Sequence, residues 1–413
     1  MLALALLTCA TVPVLSAPPS ENDIIPRLEV ISRIDSLREN QAAIIGQATL
    51  VGDFNDVARQ YGLDRTGPRG RDLTLKMVWA PERNRALFCG ANHGVPHRLN
   101  DVWEFDLAAL KWNMLYAPDN PRDYGGLGKD FSDVEFRDGV LITKRGGPAV
   151  IAHTWWGLTY DPEAKSMLFM NTWVTNKTKA VEQLGGDPSQ LYAGPPLWSF
   201  DPAARTWKML AAKPPYPRAP FGGMLEYVPD LKGSIWHTNN WQMQATWLYD
   251  HQQNSWKNLE PNAEAGTFTQ QSPQPEQVGY YDPTRKKIFA HRHYDTFEFD
   301  PATNIWTRLL TDTAESGKTP YGHDARAPMY FDPASGKGLL VQFQTNQVWA
   351  FDPDKPQWTL LEPEGDPLPE GKKRLAYVDQ RFNVLVVIHD TTVWAYRYRL
   401  KPEVVDPNAP TMK

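Results

Sequence analysis

Apolar and polar residues alternate in short runs along most of this chain, and one run keeps returning. An aromatic residue, a spacer, a second aromatic and an Asp follow one another, and a Trp comes six residues after the Asp. The copies are Trp103, Phe105, Asp106 and Trp112; Trp198, Phe200, Asp201 and Trp207; Trp247, Tyr249, Asp250 and Trp256; Phe297, Phe299, Asp300 and Trp306; and Trp349, Phe351, Asp352 and Trp358. A sixth copy, Trp394, Tyr396 and Arg397, has lost the Asp and the following Trp. Aromatics two apart predict a strand, the Asp predicts a tight turn, and recurrence at intervals of about fifty residues predicts a repeat fold.

The stretches between copies complete the unit. A first strand ends in an aromatic followed by Asp or Pro, as at Trp79 and Pro81, Tyr160 to Pro162, Tyr227 and Pro229, Tyr281 to Pro283, Phe331 to Pro333, and Tyr377 and Asp379. A strongly apolar second strand follows near 85–90, 166–170, 234–236, 287–290, 338–343 and 384–388. Four antiparallel strands in six repeats predict an all-β propeller of six blades, with a seven-bladed ring that uses residues 18–75 as the alternative. The last unit has only three strands in order. An open edge invites aggregation, so a strand from residues 28–60 is expected to close the ring.

On this reading residues 18–75 are an N-terminal extension, with helices near 32–43 and 53–61 around a β-rich stretch at 48–51. Residues 76–400 form the propeller and 401–413 a tail. The long interval between Trp103 and Trp198 holds one blade with insertions near 116–150 and 174–196.

The plan resembles the kelch repeat, the blade unit also found in galactose oxidase, over about residues 76–398. The outer aromatic and Trp strands carry the likeness. The double Gly usual at the end of the second strand is mostly absent, and Cys89-Gly90 alone comes near it. The stretch 76–106, with Asn92, His93, Gly94, Val95, Pro96, His97, Arg98, Leu99 and Asn100, is similar to exported bacterial kelch-type proteins. The resemblance implies a propeller fold; that fold hosts many activities and implies none of them alone.

Composition agrees with this plan. The chain has 413 residues with 36 Pro, 16 Trp, 16 Tyr and 16 Phe, and little long helical periodicity, which suits many short strands joined by turns. Net charge is −5 with both signs mixed and no basic stripe, so nucleic acid is not an expected partner. Residues 2–17 form an apolar run too short to span a bilayer comfortably, and 1–17 read as a signal peptide without a basic start. The protein is therefore expected to be secreted or periplasmic, with no later membrane-spanning segment. Cys9 leaves with that peptide, so Cys89 has no disulfide partner in the mature chain.

The nine histidines sort by topology. Loops from second to third strand emerge on the same face as connections between blades; call it the connection face. His93, His97, His237, His291, His293 and His389 fall in or open second-to-third loops, and His153 and His323 lie in connections. Only His251 falls on the opposite, turn face. The candidate catalytic residues are His93, His97, His153, His237 and His293. The candidate substrate-binding residues are Arg98, Asn100, Trp155, Trp156, Trp173, Arg218, Asn239, Trp241, Tyr294, His323 and Arg326. Asn171, Asn240, Arg292, Gln344, Asn346, Tyr216 and Asp324 share that face.

Three function classes follow. Trp and Tyr faces stack on sugar rings, and Arg grips carboxylates, so a carbohydrate ligand, acidic polysaccharide above all, is favoured. His and Tyr supply the acid and base of a lyase or glycosidase. A protein-interaction scaffold needs neither. A metal-dependent enzyme is the third class, with His291 and His293 expected on one strand face as a weak ligand pair. No His-x-x-x-His or Cys-x-x-Cys spacing supports a specific ion, and no Tyr–His ligand motif accompanies Cys89, so no cofactor is assigned.

Overall fold

The computed structural model describes residues 24–71, 74–90, 98–122, 127, 131–151, 153–170, 177–210, 213–217, 222–240, 243–260 and 272–400, with backbone alone at 239–240 and 243–245. They form a six-bladed β-propeller. Blade 1 is Val78–Ala80, Arg85–Phe88, Val102–Asp106 and Lys111–Tyr116; blade 2 is Leu158–Asp161, Ser166–Met170, Leu197–Asp201 and Thr206–Leu210. Blade 3 is Met224–Val228, Gly233–Asn240, Met243–Asp250 and Ser255–Asn258; blade 4 is Val278–Asp282, Lys287–Arg292, Asp295–Asp300 and Ile305–Leu310. Blade 5 is Met329–Asp332, Lys337–Gln342, Gln347–Asp352 and Gln357–Leu361, and blade 6 begins Leu375–Asp379, Val384–His389 and Thr392–Arg397. Each inner strand packs on the next, and that of blade 6 packs back on blade 1, so the ring closes at six.

The recurring pattern has a direct physical cause. The second aromatic of each copy lies opposite the Trp on the outer strand: Phe105 with Trp112, Phe200 with Trp207, Tyr249 with Trp256, Phe299 with Trp306 and Phe351 with Trp358. Ring centroids in these pairs are 4.8, 5.0, 5.3, 5.0 and 5.2 Å apart, the range for favourable aromatic contact. Each Asp turns its carboxylate back on the chain and accepts backbone N–H groups two or three residues on, such as Ala203 and Ala204 for Asp201, and Ala302 and Thr303 for Asp300. The Asp-Pro turns of the first strands work alike, with Asp161 accepting from Glu163 and Ala164. The five outer Trp side chains are buried.

The N-terminal segment laces the ring. Helix α1 (Leu28–Asp35) buries Val30 and Ile34, four apart on one face. Strand β1 (Gln41–Gln47) then pairs antiparallel with Thr392–Arg397 as the outer strand of blade 6. After Ala48, strand β2 (Thr49–Gly52) pairs parallel with Lys111–Tyr116 and adds a fifth strand to blade 1. Two consecutive strands therefore bind two neighbouring blades across the seam. The residues expected to form one helix near 32–43 divide: the helix ends at Asp35 and 41–47 are strand, because tertiary pairing with the open edge outweighs local preference. The second helix is shorter than expected, Asp56–Gln60, capped by Asn55 Oδ1 on the Ala58 amide at 2.9 Å. No seventh blade forms among the described residues.

Both insertions around blade 2 lie on the connection face. The hairpin Val134–Arg137 and Val140–Thr143 shares a small apolar core with the helix Lys177–Gln183, through Val134, Leu141, Val150, Ala180 and Val181. On the propeller axis, the Lys76 ammonium meets the Glu226 carboxylate, donates to the Leu225 carbonyl at 3.0 Å and lies over the Trp156 ring. Burial pushes both charged groups toward their neutral forms. Below this plug a well of about 190 Å³ is lined by Trp79, Tyr160, Tyr281, Tyr330 and Tyr377.

Candidate functional site

The second strands of blades 3 and 4 carry His237 and His291 near their ends, each fully buried between blades. Their surroundings repeat atom for atom. Trp306 Nε1, from the outer strand of blade 4, lies 3.1 Å from Thr246 Oγ1, which lies 2.8 Å from His237 Nδ1, while His237 Nε2 is 3.1 Å from the Pro273 carbonyl. One blade on, Trp358 Nε1, Thr296 Oγ1, His291 Nδ1 and Nε2, and the Pro320 carbonyl stand in the same order at 3.0 Å for each step. An indole N–H only donates and a carbonyl only accepts. The Thr hydroxyl therefore accepts from Trp and Nε2–H donates to the carbonyl, and with the ring neutral the Thr hydroxyl donates to Nδ1. Burial drives His237 down to about 3 and His291 down to about 4.

This corrects two expectations. His237 lies on the connection side by topology, yet it is a packing element with both nitrogens spent. His291 and His293 do not share a strand face as a ligand pair, because the strand stops at Arg292 and His293 turns away with φ 54°.

His293 instead joins a half-buried cluster built from three elements. Its ring stacks on Tyr321 with centroids 5.0 Å apart, and Tyr321 stacks in turn toward His323 at 6.1 Å. Tyr294 meets the edge of Tyr321 at 5.6 Å. Glu276, from the connection into blade 4, brings Oε2 to 3.4 Å from His323 Nε2, and Asp324 brings Oδ1 to 3.1 Å from His323 Nδ1. Arg292 donates from Nε to the Pro275 carbonyl at 2.7 Å and lies 3.2 Å from His293 Nδ1. Arg326 is exposed beside the cluster.

The buried relay supports this exposed cluster. His291 holds the Pro320 carbonyl, and Gly322 packs on the same ring so closely that an added Cβ would sit 2.3 Å from His291 Cδ2. Tyr321 and His323 flank that glycine, and the His293 and Gly322 backbones bond each other at 2.8 and 2.7 Å.

The electrostatics of the cluster diverge. Burial opposes a proton on His323, but the carboxylates of Asp324 and Glu276 outweigh it and raise the imidazole to about 9. Burial and the Arg292 guanidinium lower His293 to about 4. Burial lifts Asp324 to about 6 against the pull of His323, while the bond from His323 holds Glu276 low. At neutral pH the two imidazoles differ in charge, His323 protonated and His293 neutral with its Nδ1 lone pair turned to Arg292, on either side of one tyrosine.

Other expected residues take other places. Trp155 and Trp156 are fully buried, and Trp156 Nε1 donates to the Gly279 carbonyl at 2.8 Å, so neither has a face free for a ligand. His153 is buried with its ring 4.7 Å from that of Trp155. Asn100 is buried and latches Asp119 and the Pro148 carbonyl, and Arg98 donates to the Arg122 carbonyl at 3.1 Å. These are structural roles, set by burial. His93, His97, Trp173, Arg218, Trp241 and the Asn239 side chain lie outside the described residues. The sequence reading passed over Glu276 and Tyr321. Both stand in blade connections, as Asp324 does, and sorting every polar residue by connection instead of histidines alone would have found them.

Two further chemistries have clear answers. Among the described residues no group of three or more His, Cys, Asp or Glu is arranged to hold a metal ion. On the turn face, Ser234 Oγ lies 3.0 Å from His251 Nε2, whose Nδ1 meets Asp161. That order matches a nucleophile, base and acid, but Ser234 is completely buried. The set clips blade 2 to blade 3. No helix among the described residues is long and apolar enough to cross a membrane.

No protein-family model and no curated protein matches the chain. Among solved structures it is similar to the crystal structure of TolB from Acinetobacter baumannii, with TM-score 0.37 and 15% identity over 73% of this chain and 56% of that one. It is also similar to an auxiliary nutrient binding protein from Bacteroides ovatus, with TM-score 0.46 and 8% identity over 86% of this chain and 76% of that one. The chain thus spans little more than half of the TolB chain. Both likenesses are remote, and the six-bladed architecture rests on the chain's own strand pairing.

Proposed function

We propose that this protein is an exported, kelch-type propeller whose connection face binds carbohydrate, acidic polysaccharide in preference to neutral. One observation carries the reading: half-exposed aromatic rings, Tyr294, Tyr321, His293 and His323, stand together with Arg292, Glu276 and Arg326 at that face. Rings supply stacking surface for sugar faces, the carboxylate and imidazoles bond hydroxyls, and guanidinium meets uronate. The apolar run at 2–17 supports export, and the aromatic–Asp–Trp unit supports the kelch assignment. His93, His97, Trp173, Arg218, Asn239 and Trp241 extend the proposed surface on topology alone.

Opposite proton states at His323 and His293 favour a second reading of the same cluster, acid–base cleavage of the bound chain as by a lyase or glycosidase. A panel of acidic and neutral polysaccharides, scored for binding and for new unsaturated or reducing ends, tests both. The first reading expects acidic chains to bind, with affinity falling as salt rises, and to weaken in His323→Gln and Tyr294→Ala. Products without loss in His323→Gln and His293→Gln would remove the acid–base reading. No glycan bound anywhere on the panel would remove the carbohydrate reading and leave a protein-interaction scaffold.

A further inference from the structure

Beside the histidine cluster lies a cleft that shares only Arg326 with the surface of the carbohydrate reading. Gly70, Arg71 and Leu75, the residues just after the second strand of blade 5 and the connection into blade 6 enclose about 520 Å³ there. Arg71, Arg326, Lys372, Lys373 and Arg374 line it with Phe343 and Gln344, and among the described residues no acidic one does. The walls are locked together. The Gly70 amide donates to the Lys373 carbonyl at 2.7 Å, and Gly371, with φ 140°, lies so close to His389 that an added Cβ would sit 2.2 Å from its Nε2.

The cations differ in how far their charge is answered. Arg71 is satisfied at depth: it meets Asp101 at 2.5 Å and the Leu99 carbonyl at 3.2 Å. Arg374 is 3% exposed and bonds only neutral acceptors, Asn346 Oδ1 and the Pro369 carbonyl at 2.6 Å each and the Phe343 carbonyl. Its Nε is buried without a hydrogen-bond partner. Burial lowers it to about 10, and Glu370 is the carboxylate that offsets this in part. Arg326 and Lys372 are exposed, and their side chains form no hydrogen bond or ion pair among the described residues. A buried guanidinium that hydrogen-bonds only neutral acceptors and lies over the Phe343 ring, with two exposed cations at the rim, is costly unless an anion completes it.

We infer that this cleft is an oxyanion site, which takes a carboxylate or sulfate ester of a saccharide chain lying across the neighbouring His293, Tyr321 and His323 cluster. Arg326 links the two, since it lines the cleft and follows His323 in one turn, its amide donating to the His323 carbonyl at 2.9 Å. The saccharide part of this inference rests on the carbohydrate reading; the anion part does not. Guanidinium and ammonium at the rim grip the oxyanion, Arg374 sets the potential below it, and Phe343 gives the ligand an apolar edge.

Isothermal titration of the full chain with inorganic sulfate tests the anion part alone. Sulfate is expected to bind, and Arg326→Gln with Lys372→Gln is expected to weaken it by about tenfold, the loss of one or two charge-assisted contacts. Lys165→Gln, at an exposed turn on the opposite face, is expected to bind as the parent does, and equal melting temperatures would show that all variants fold. No sulfate bound by the parent, or equal affinity in the double variant, overturns the site. Competition then names the source. Oligogalacturonate that displaces sulfate identifies a carboxylate, and dextran sulfate that alone does so identifies a sulfate ester. Plain dextran displacing sulfate as well as either would overturn anion recognition. Sulfate binding that no saccharide displaces would keep the oxyanion site and remove the carbohydrate reading.

Discussion

His291 and His293 are two residues apart, yet they belong to different regions with opposite physics. One region is the seam between blades, where Trp, Thr, His and a Pro carbonyl form a dry chain of hydrogen bonds, once at His237 and again at His291. The other is the half-open cluster at the connection face, where His293 and His323 meet carboxylates, a guanidinium and water. Histidine in the first is a neutral spacer that donates once and accepts once. In the second it is a titrating group. Residue type does not separate them; the count of fixed partners around each nitrogen does.

Removing the seam should cost most. Trp306→Ala deletes a buried indole, its bond to Thr246 and its contact with His237, and should lower unfolding free energy by about 3–5 kcal/mol in urea titrations. His291→Ala follows at about 2–4 kcal/mol, since it leaves the Thr296 hydroxyl and the Pro320 carbonyl unpaired as well as a cavity. If Trp306→Ala costs no more than a surface change, the outer Trp is not the brace between blades that this comparison requires.

The seam histidines and His323 should also respond to pH in opposite directions. His237 and His291 titrate below the ordinary value of 6.5 when folded. Their contribution is complete above pH 6.5 and declines as pH falls toward 4 and 3, because the unfolded chain takes up protons that the folded one refuses. The slope is on the order of 1.4 kcal/mol per pH unit for each ring. His323, raised to about 9, contributes fully below 6.5 and loses that contribution as pH rises through 9. Urea midpoints from pH 4 to pH 10 check both limbs, and His291→Gln should flatten only the acidic one.

Gly322→Ala is a sharper test, because it touches both regions and no ligand. The added methyl meets the His291 ring, so the segment carrying Tyr321 and His323 must shift. Glycan binding should fall about tenfold or more while stability drops by only about 1–3 kcal/mol. Smallest of all, His293→Gln should leave unfolding free energy within about 1 kcal/mol of the parent and show its effect in binding, since that ring is half-buried.

Much of the frame was legible because it is local. The aromatic–Asp–Trp spacing is set by one cross-strand pair and one Asx turn, both complete within a dozen residues, so Phe299, Asp300 and Trp306 announce themselves. An unpaired edge in blade 6 is likewise a matter of counting strands, and Gln41–Gln47 supplies it. Burial of His237, the use of Trp155 and Trp156 along the axis, and the convergence of Glu276, Tyr321 and Asp324 were not legible. Each depends on which blade stands beside which, and at what depth.

The sequence by itself determined the repeat, its four-strand unit and the outer tryptophans, and left six and seven blades open, because period, turn and spacing are properties of neighbours in the chain. Only the tertiary structure decided which polar groups are dry and which are wet. Asp324 and His323, or Arg374 and Arg326, look alike in sequence, but the charge each can hold is fixed by water excluded and partners brought from other blades, and that is a sum over space that no stretch of chain contains.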